Sequence, residues 1–398
     1  MMTTYDVAIA GGGPIGCTVA RHLASQGIHG AVFEEHHTFG VPVHCAGLVT
    51  QRAINISRCP RTGVIQNTIY GAYIHSPSGT LLTIGGKKAH GIVINRQQFD
   101  AALAHDADQK GAELNLEYKI VSAERQQNHI VLTTQHHGIT STTSCAILVG
   151  ADGPHSLIRR IFKFPHPKET LQGIGAKISD TDLDPKYVHI LVGHHIAPGF
   201  FAWIIPTNQQ GTKARIGLCT KRQTTRHLND YLDVLLQHPL LKGVAVEQKF
   251  GGAIPLGPLK TTVIDNVMLV GDAAAQVKPT SGGGIYPGLV CATHCAAVAE
   301  KALRESRTDD RFLQHYHAQW TKEIGRELSL GMQFRRLFAS LTDAQFDKYL
   351  EKLRNPKTLD VINTYGDIDY PSRLAFPLLR TSPSLLSLFP SLLKRRRS

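Results

Sequence analysis

Apolar and polar positions alternate along the chain in a way that separates strand-like from helix-like segments. An apolar strand over 5–10 runs into a glycine-rich turn, and a helix follows that ends at Gly27. A second apolar strand over 31–33 then ends at Glu34. A buried strand, a helix and a second buried strand in this order predict a βαβ unit with parallel strands.

The middle of the chain shows a different pattern. Segments 112–122 and 129–143 predict a hairpin, and 266–270 predicts a further buried strand. Small apolar residues over 284–304 and the periodic pattern over 308–355 predict helices. An antiparallel sheet is predicted by four alternating segments, at 170–178, 187–193, 200–205 and 213–219.

These elements predict an α/β fold, with a Rossmann-type nucleotide-binding domain, an inserted antiparallel-sheet domain and a helical C-terminal region. The length of 398 residues suits two or three domains. We assign the nucleotide-binding domain to 1–50, 87–165 and 251–305, the inserted domain to 51–86 and 166–250, and the C-terminal region with its basic tail to 306–398.

Composition narrows the class of protein. Hydrophobic residues make up 42% and charged residues 19%, which is typical of a globular protein and not of a disordered one. The seven cysteines are odd in number and scattered, which predicts reduced thiols in the cytoplasm. The sequence shows no secretory signal and no apolar run long enough for a membrane span. The net charge of +12 permits an anionic membrane or a phosphorylated substrate as a partner, and no nucleic-acid-binding module is recognisable.

The first glycine-rich turn carries the pattern G-x-G-x-x-G at Gly11, Gly13 and Gly16, with Pro14 at the start of the helix. Glycines at this spacing permit a tight turn and a close approach of the backbone to a pyrophosphate, which the N-terminus of the helix attracts. Glu34 closes the second strand about 20 residues later, where an acidic side chain binds ribose hydroxyls. This segment therefore predicts dinucleotide binding.

Two later segments follow buried strands in the same manner. The first, 150–159, reads GADGPHSLIR, and the second, 271–285, begins GDAAA and ends PTSGGGI. An acidic residue after a strand can cap a helix or accept a ligand hydroxyl. The candidate nucleotide-binding residues in these segments are Asp152, Gly271, Asp272, Gly283, Gly284 and Ile285.

The three motifs together resemble the FAD-dependent family of the para-hydroxybenzoate hydroxylase fold. Within it, the chain is most similar to the geranylgeranyl reductases of archaeal membrane-lipid synthesis, over about residues 3–340. Segment 42–47, PVHCAG, resembles the loop P-V-x-C-[GA]-G of that family. Segment 198–206, PGFFAWIIP, resembles P-x-x-Y-x-W-x-F-P, and 278–285 resembles K-P-T-[ST]-G-G-G-[IV]. The resemblance implies FAD as the cofactor and saturation of C=C bonds in geranylgeranyl chains of archaeal-type ether lipids.

The resemblance also implies roles for individual residues. Cys45 is the candidate proton donor, and Cys45, Ala46 and Arg96 would lie by the cofactor, where Arg96 opens an R-x-x-F-D segment. Two positions depart from the family, because Phe201 replaces its Tyr and Ile205 replaces its Phe. The candidate substrate-binding residues are Pro198, Phe201, Trp203, Ile205 and Pro206. No metal site is predicted, since the histidine pairs lack zinc-ligand spacing.

Other activities stay open from sequence. The substrate could be geranylgeranyl diphosphate or a prenylated chlorophyll or quinone. Segment 201–206 also approaches the W-x-W-x-I-P motif of flavin-dependent halogenases, so a monooxygenase or halogenase is an alternative, as is a flavoprotein that only binds lipid. The electron donor could be a ferredoxin, a deazaflavin or NAD(P)H.

The C-terminal tail is rich in leucine over 385–393 and basic over 394–397. Apolar side chains beside a basic cluster favour attachment to an anionic membrane surface. A helix docked on the protein with a frayed basic end is the structural alternative. We therefore expect a cytoplasmic protein in peripheral contact with the inner face of the cell membrane.

Overall fold

The computed structural model describes residues 3–382 and contains eighteen strands in that range. In chain order they are β1 (Thr3–Ala10), β2 (Gly30–Glu34), β3 (Leu48–Val49), β4 (Ile65–Ile69), β5 (Gly71–His75), β6 (Leu81–Gly85), β7 (Gly91–Ile94), β8 (Glu113–Leu116), β9 (Lys119–Gln126), β10 (His129–His136), β11 (Ile139–Gly150), β12 (Glu169–Ser179), β13 (Tyr187–Val192), β14 (Phe201–Pro206), β15 (Lys213–Lys221), β16 (Ala245–Leu256), β17 (Val263–Ile264) and β18 (Val267–Leu269).

Eleven α-helices accompany these strands within the same range. They are α1 (Pro14–Ala24), α2 (Gln51–Ser57), α3 (Arg96–Gln109), α4 (Leu157–Ile161), α5 (Leu228–Leu236), α6 (Ile285–Arg304), α7 (Asp310–Trp320), α8 (Arg326–Ser340), α9 (Asp343–Leu353), α10 (Pro356–Tyr365) and α11 (Ser372–Thr381). Short 3₁₀ turns occur at Pro239–Leu241 and Gly271–Ala274, and a π-helical turn at Thr321–Gly325 joins α7 to α8.

The first sheet has the strand order β17-β18-β11-β1-β2-β8, and the β9–β10 hairpin extends it from β11. Strands β18, β11, β1, β2 and β8 are parallel. Val7, Ile9 and Val149 are fully buried on this sheet and pack in one core with side chains of α1, α6 and α7. The predicted α/β fold is confirmed, and the carboxyl ends of its parallel strands face one edge, where ligands of such folds bind.

The second sheet has the order β16-β12-β15-β14-β13-β5-β6. Its pairs are antiparallel except for β13 and β5, which run parallel with Tyr187 opposite Gly71. Tyr231, Leu232 and Leu235 of α5 pack against one face of this sheet. The predicted antiparallel sheet is therefore present. Two earlier strands, β5 and β6, extend it, and β5 forms its one parallel pair.

A third, three-stranded sheet, β3-β7-β4, lies beside α2 and α3 in a separate core. Segment 51–86 is thus divided, because α2 and β4 belong with this small sheet, whereas β5 and β6 belong to the second sheet. The domain boundaries given above stay a prediction.

The hairpin predicted over 112–122 and 129–143 is present as the antiparallel pair β9 and β10, but it is shorter than predicted. The chain bends at Glu117, whose φ is +64°, so β8 pairs in parallel with β2 instead. The hairpin is formed by β9 and β10, and a second turn at His137 and Gly138 leads into the long strand β11. Alternation alone did not reveal these two interruptions.

The helical C-terminal region is present as α7 to α11. The leucine-rich and basic tail over 383–398 lies outside the described residues. Between residues 3 and 382, no helix combines the length and the apolar character needed to cross a bilayer.

Candidate functional site

The first glycine turn, Gly11–Gly16, leaves no room for a side chain at its first and last glycine. A Cβ atom built on Gly11 would lie 2.6 Å from the carbonyl oxygen of Ala151, and one on Gly16 would lie 2.0 Å from that of Gly11. Gly13, in contrast, faces open space, with no atom within 4 Å of its Cβ position. Pro14 begins α1, and no side chain caps the amides of its first turn. The turn therefore offers unpartnered amides and room for a pyrophosphate.

Glu34 ends β2 directly beside this turn. Its Oε2 accepts a hydrogen bond of 2.7 Å from the Gly12 N–H, and its Oε1 lies 2.5 Å from Nδ1 of His36. Oε1 also accepts the His36 N–H at 3.0 Å, whereas Oε2 keeps a second lone pair. Glu34 therefore ties the turn to the sheet and can still accept a ribose hydroxyl.

Asp152 lies next to the same turn, just after β11. Its Oδ2 accepts a hydrogen bond from the Ile158 N–H at 3.1 Å, whereas its Oδ1 is buried without a partner among residues 3–382. Burial raises the pKa of this carboxyl group, and its hydrogen bonds oppose that effect. An unpartnered buried acceptor beside the first glycine turn fits a polar ligand such as the nucleotide portion of FAD.

A second glycine turn, Gly282–Gly284, precedes α6. Asp272 lies in the 3₁₀ turn after β18, and its Oδ1 is 2.6 Å from the Cβ position of Gly284. Burial raises the pKa of Asp272 to about 6, and the nearby charge of Arg96 opposes this rise. No side chain caps the first turn of α6, so its amides attract negative charge. We expected Asp272 between a strand and a helix; it lies within the short 3₁₀ turn that follows β18.

Gly271, Gly283 and Ile285 complete this group of predicted residues. Gly271 lies two residues after the end of β18, and a Cβ there would press on Ile15 of α1 at 3.2 Å. Ile285 is the first residue of α6. The second glycine turn therefore lies near the same edge of the parallel sheet as the first, because the Gly284 Cβ position contacts Asp272, which comes shortly after the carboxyl end of β18, and the Gly271 Cβ position contacts Ile15 of α1.

Cys45 lies in a cationic environment. The Gly47 N–H points at Cys45 Sγ at 3.3 Å, and Cys45 is partly exposed, whereas the other six cysteines are buried. Burial alone would lower the pKa of Arg96, but the charges of Asp100 and Cys45 outweigh it and raise that pKa. Arg215 binds the adjoining carbonyl of Ala46 at 3.0 Å.

Arg215 was not found by sequence analysis. Its Nη1 also binds the Ile94 carbonyl at 2.9 Å, and its Nη2 binds Gln66 Oε1 at 2.6 Å. Burial lowers the pKa of Arg215, and the charge of Cys45 opposes that effect. Arg215 sits on β15 of the second sheet, so it joins that sheet to the loop that carries Cys45. No local pattern signals this, because its partner Ala46 is 169 residues away.

The predicted substrate residues lie on β14 and the turn before it. Phe201 and Trp203 are partly exposed on one face, whereas Ile205 on the same face is buried against Ile69 and Val188. Trp203 Nε1 is buried and has no partner in the described part of the chain. Ile205 is thus a core residue here, and Phe201 and Trp203 are the side chains that a substrate can reach.

Pro198 and Pro206 mark the two ends of this segment. The Pro198 carbonyl accepts a hydrogen bond from the Lys221 N–H at 3.3 Å, and the Pro206 carbonyl accepts one from Asn67 Nδ2 at 3.1 Å. The first contact joins the turn before β14 to the end of β15 in the second sheet, and the second ties the end of β14 to β4 of the small sheet.

The turn before β14 is also held by Arg335 of α8, which sequence analysis missed. Its side chain is 1% exposed, and its guanidinium group binds the Gly199 carbonyl and, at 2.7 Å, Glu169 Oε1. The same group lies 5.2 Å from the centre of the Phe200 ring, within cation–π range. Helix α8 therefore supports the apolar strand from behind.

No cluster of three or more histidine, cysteine, aspartate or glutamate side chains suited to a metal ion occurs between residues 3 and 382.

Comparison with known proteins agrees with this geometry. The FAD binding domain family matches residues 4–242. An uncharacterised protein of Methanocaldococcus jannaschii is 31% identical over 95% of both chains. Digeranylgeranylglycerophospholipid reductase 2 of Methanothermobacter thermautotrophicus is 28% identical over 93% of this chain and 98% of its own.

A solved structure described as geranylgeranyl bacteriochlorophyll reductase-like, from Thermoplasma acidophilum, superposes with a TM-score of 0.87. It is 23% identical and covers 98% of this chain and 100% of its own, which supports the fold alone. The predicted resemblance to geranylgeranyl reductases and the predicted FAD cofactor are confirmed. The chain belongs to the FAD binding domain family, and in that family it is similar to the digeranylgeranylglycerophospholipid reductases.

Proposed function

We propose that this protein is an FAD-dependent reductase that saturates C=C bonds of geranylgeranyl chains in archaeal-type ether lipids. The strongest support for this function is the contact between the apolar residues around the start of β14 and the second glycine turn. Phe200 Cζ lies 3.8 Å, and Ile254 Cδ1 3.2 Å, from the position of a Cβ on Gly282. An apolar chain lying along Phe201 and Trp203 would thus end beside the turn.

The first turn suits the adenosine half and the pyrophosphate of FAD, and the second suits its ribityl chain and ring system. The amides after Gly13 would hold the pyrophosphate, and Glu34 the ribose of the adenosine half. Asp272 would accept a ribityl hydroxyl, and the amides at Gly284 and the start of α6 would face the polar end of the ring system. When bound and reduced, FAD supplies the hydride for the reaction.

The protein's own residues must then exclude water and provide a proton. An isolated C=C bond has little electrophilic character, so hydride addition to one carbon needs proton delivery to the other. Phe201 and Trp203 would keep the chain in apolar surroundings. Cys45, or a water that it orders, would supply the proton, and Arg96 and Arg215 would fix the loop on which it lies.

An anaerobic assay tests the function. The purified protein is reduced with dithionite and supplied with digeranylgeranylglycerophospholipid, and the lipid mass is followed. We expect stepwise gains of about two mass units for each double bond. A flavin that is reduced while the lipid mass stays constant would reject the substrate assignment, and a protein that retains no flavin would reject the whole proposal.

Parallel assays separate the alternatives. Geranylgeranyl diphosphate and a prenylated quinone replace the lipid in two of them, and oxygen with a halide salt is admitted in a third. Faster reduction of a free diphosphate would move the assignment to that substrate. A hydroxylated or halogenated product would favour the monooxygenase or halogenase reading. Ferredoxin, reduced deazaflavin and NADPH are compared as electron donors in place of dithionite.

Two variants test individual residues. Cys45→Ser should lower the rate of lipid reduction by at least about tenfold without loss of FAD, since a hydroxyl is a far weaker acid than a thiol. Phe201→Tyr restores the hydroxyl that the family motif carries, and a change in which double bonds are reduced would assign Phe201 to chain selectivity. Equal products and rates for both variants would remove these roles.

We also propose peripheral contact with an anionic membrane. Helix α11 leaves Phe376 75% exposed, and Arg373 and Arg380 are exposed at helical spacing on either side of it. An exposed aromatic side chain between cations suits an anionic lipid surface. Phe376→Asp and a chain ending at 382 should each reduce binding to phosphatidylglycerol vesicles. Binding equal to that of the parent would reject the contact.

A further inference from the structure

The segment between α10 and α11 forms a buried ionic clasp, which we define as Asp367, Asp369, Lys278 and Arg52. The Asp369 side chain has no exposed surface, and its Oδ1 lies 2.7 Å from Lys278 Nζ. Its Oδ2 lies 3.2 Å from Arg52 Nη1. Asp367 binds the same guanidinium group twice, at 2.8 and 2.9 Å. The clasp contains two cations and two carboxylates, and Arg373 of α11 adds a third cation 3.2 Å from Asp367 Oδ2.

Lys278 connects the clasp to the second glycine turn. Its carbonyl accepts the Gly282 N–H at 2.8 Å, and its own N–H donates to the Gly283 carbonyl at 3.2 Å. Its ammonium nitrogen lies 3.5 Å from the Cβ position of Gly283. The side chain is 11% exposed, so water screens its charge poorly. The charge of Lys278 is thus fixed beside the turn by a carboxylate 91 residues later in the chain.

Neighbouring contacts hold the segment in place. The Tyr370 hydroxyl lies 2.9 Å from that of Tyr286 on α6, and the Ser372 N–H donates to Glu327 Oε2 at 3.2 Å. The clasp is therefore docked on α6 and α8 as well as on Lys278, and its charges keep a defined distance from the turn.

We propose that the Lys278–Asp369 pair sets the reduction potential of the flavin through the charge it places beside the second glycine turn. The inference rests on the proposed placement of the flavin ring at that turn. Reduced flavin carries a negative charge that the oxidised form lacks, so a nearby cation favours the reduced form and a nearby anion disfavours it. Lys278 and Asp369 are positioning residues in this reaction, because they act through the turn.

Removal of each partner should shift the potential in opposite directions. Lys278→Met deletes the cation and leaves Asp369 with Arg52, so the site becomes more negative and the potential falls. Asp369→Asn deletes the anion and leaves the Lys278 ammonium uncompensated, so the potential rises. A merely structural contact would give shifts of the same sign, or none, in both variants.

The experiment is a reductive titration of the full-length holoprotein against an indicator dye. We expect each variant to change the preference for reduced over oxidised FAD about tenfold, which corresponds to about 30 mV for a two-electron couple. Lys301→Met is the matched control, since it breaks the exposed Lys301–Glu305 pair on α6. Lys278→Arg should retain the parental potential.

The outcomes are distinct. Shifts of opposite sign beyond that of the control support the inference, and shifts of equal sign or within the control's range overturn it. If Lys278→Met loses FAD, the test is a comparison of the reduction potentials of Asp369→Asn and Lys278→Arg. A potential of Asp369→Asn that is no higher than that of Lys278→Arg overturns the inference. Parental protein without flavin would instead reject the proposed function. Normal lipid reduction with unshifted potentials rejects only the role of the clasp.

Discussion

The two glycine turns face the same ligand edge but are supported in different ways. Gly11–Gly16 is held largely by its own βαβ unit, because the Gly11 N–H binds the Phe33 carbonyl at 2.9 Å and Gly12 binds Glu34. Gly282–Gly284 is held by the backbone of Lys278, whose side chain is in turn bound by Asp369 from far along the chain. The contacts that hold the first turn lie mostly within one βαβ unit, whereas the second turn also depends on contacts with the C-terminal region.

The largest expected effect would come from breaking the first turn. Gly16→Ala places a Cβ 2.0 Å from the Gly11 carbonyl, so the turn must open, and we expect loss of FAD and of at least about 3 kcal/mol of stability. Gly13→Ala is the matched control, since its Cβ faces open space. It should lower FAD affinity and leave the unfolding midpoint of the apoprotein unchanged. Flavin absorbance after gel filtration and urea unfolding measure the two effects.

The second effect tests whether Arg335 of α8 supports the turn before β14. Arg335→Met leaves Glu169 and the Gly199 carbonyl without their cation, which should cost about 3 kcal/mol. Urea unfolding measures it, and lipid reduction should fall as the Phe200 ring loses its neighbour. Glu169→Gln keeps a hydrogen-bond acceptor and should cost less. Equal stability of Arg335→Met and parent would show that α8 does not support β14.

A third effect concerns a part of the second sheet that neither turn contacts. His75 Nε2 lies 3.0 Å from His189 Nδ1, and burial lowers the pKa of each to about 4, with His238 adding to the effect. Both stay neutral in the folded protein between pH 6.5 and 4, while the unfolded chain binds protons there. The two shifts together correspond to about 5 kcal/mol of stability lost from pH 7 to pH 4.5. Because His75 is only partly buried and solvent screens its charge, we expect a loss of at least about 2 kcal/mol.

Urea unfolding at the two pH values measures this loss. His189→Gln should reduce the difference between them, and His155→Gln, at an exposed position, should leave it unchanged. FAD retention at pH 7 should be the same in all three proteins. An undiminished pH effect in His189→Gln would place its origin elsewhere.

The smallest expected effect sharpens the account of the second turn. Gly331 of α8 packs on Pro279, and a Cβ there would lie 2.9 Å from Pro279 Cδ. Gly331→Ala should push α8 away from the turn and lower the free energy of unfolding by about 1 kcal/mol. We expect the affinity for FAD to fall by more than this loss of stability would suggest. Thermal unfolding of apo- and holoprotein separates the two. A loss of stability with unchanged affinity would mean that α8 and the turn are independent.

The sequence predicted what depends on neighbours in the chain. The βαβ unit, Glu34 and the strand Phe201–Pro206 follow from local periodicity and short motifs. The hairpin over 112–143 was predicted too long, because a positive φ at Glu117 interrupts an otherwise strand-like pattern. Arg215, Arg335 and Asp369 were missed, since they bind partners 91 to 317 residues away and no spacing in the sequence reveals such pairs.

The strand order of the two large sheets has a consequence for dissecting the protein. The family match ends at residue 242. Strands β16 and β18 come after that point, yet they pair with β12 and β11, which come before it. A fragment ending there would leave one unpaired strand edge on each sheet. Such edges invite association with other chains. The smallest fragment worth expressing therefore extends beyond the region by which the family is recognised.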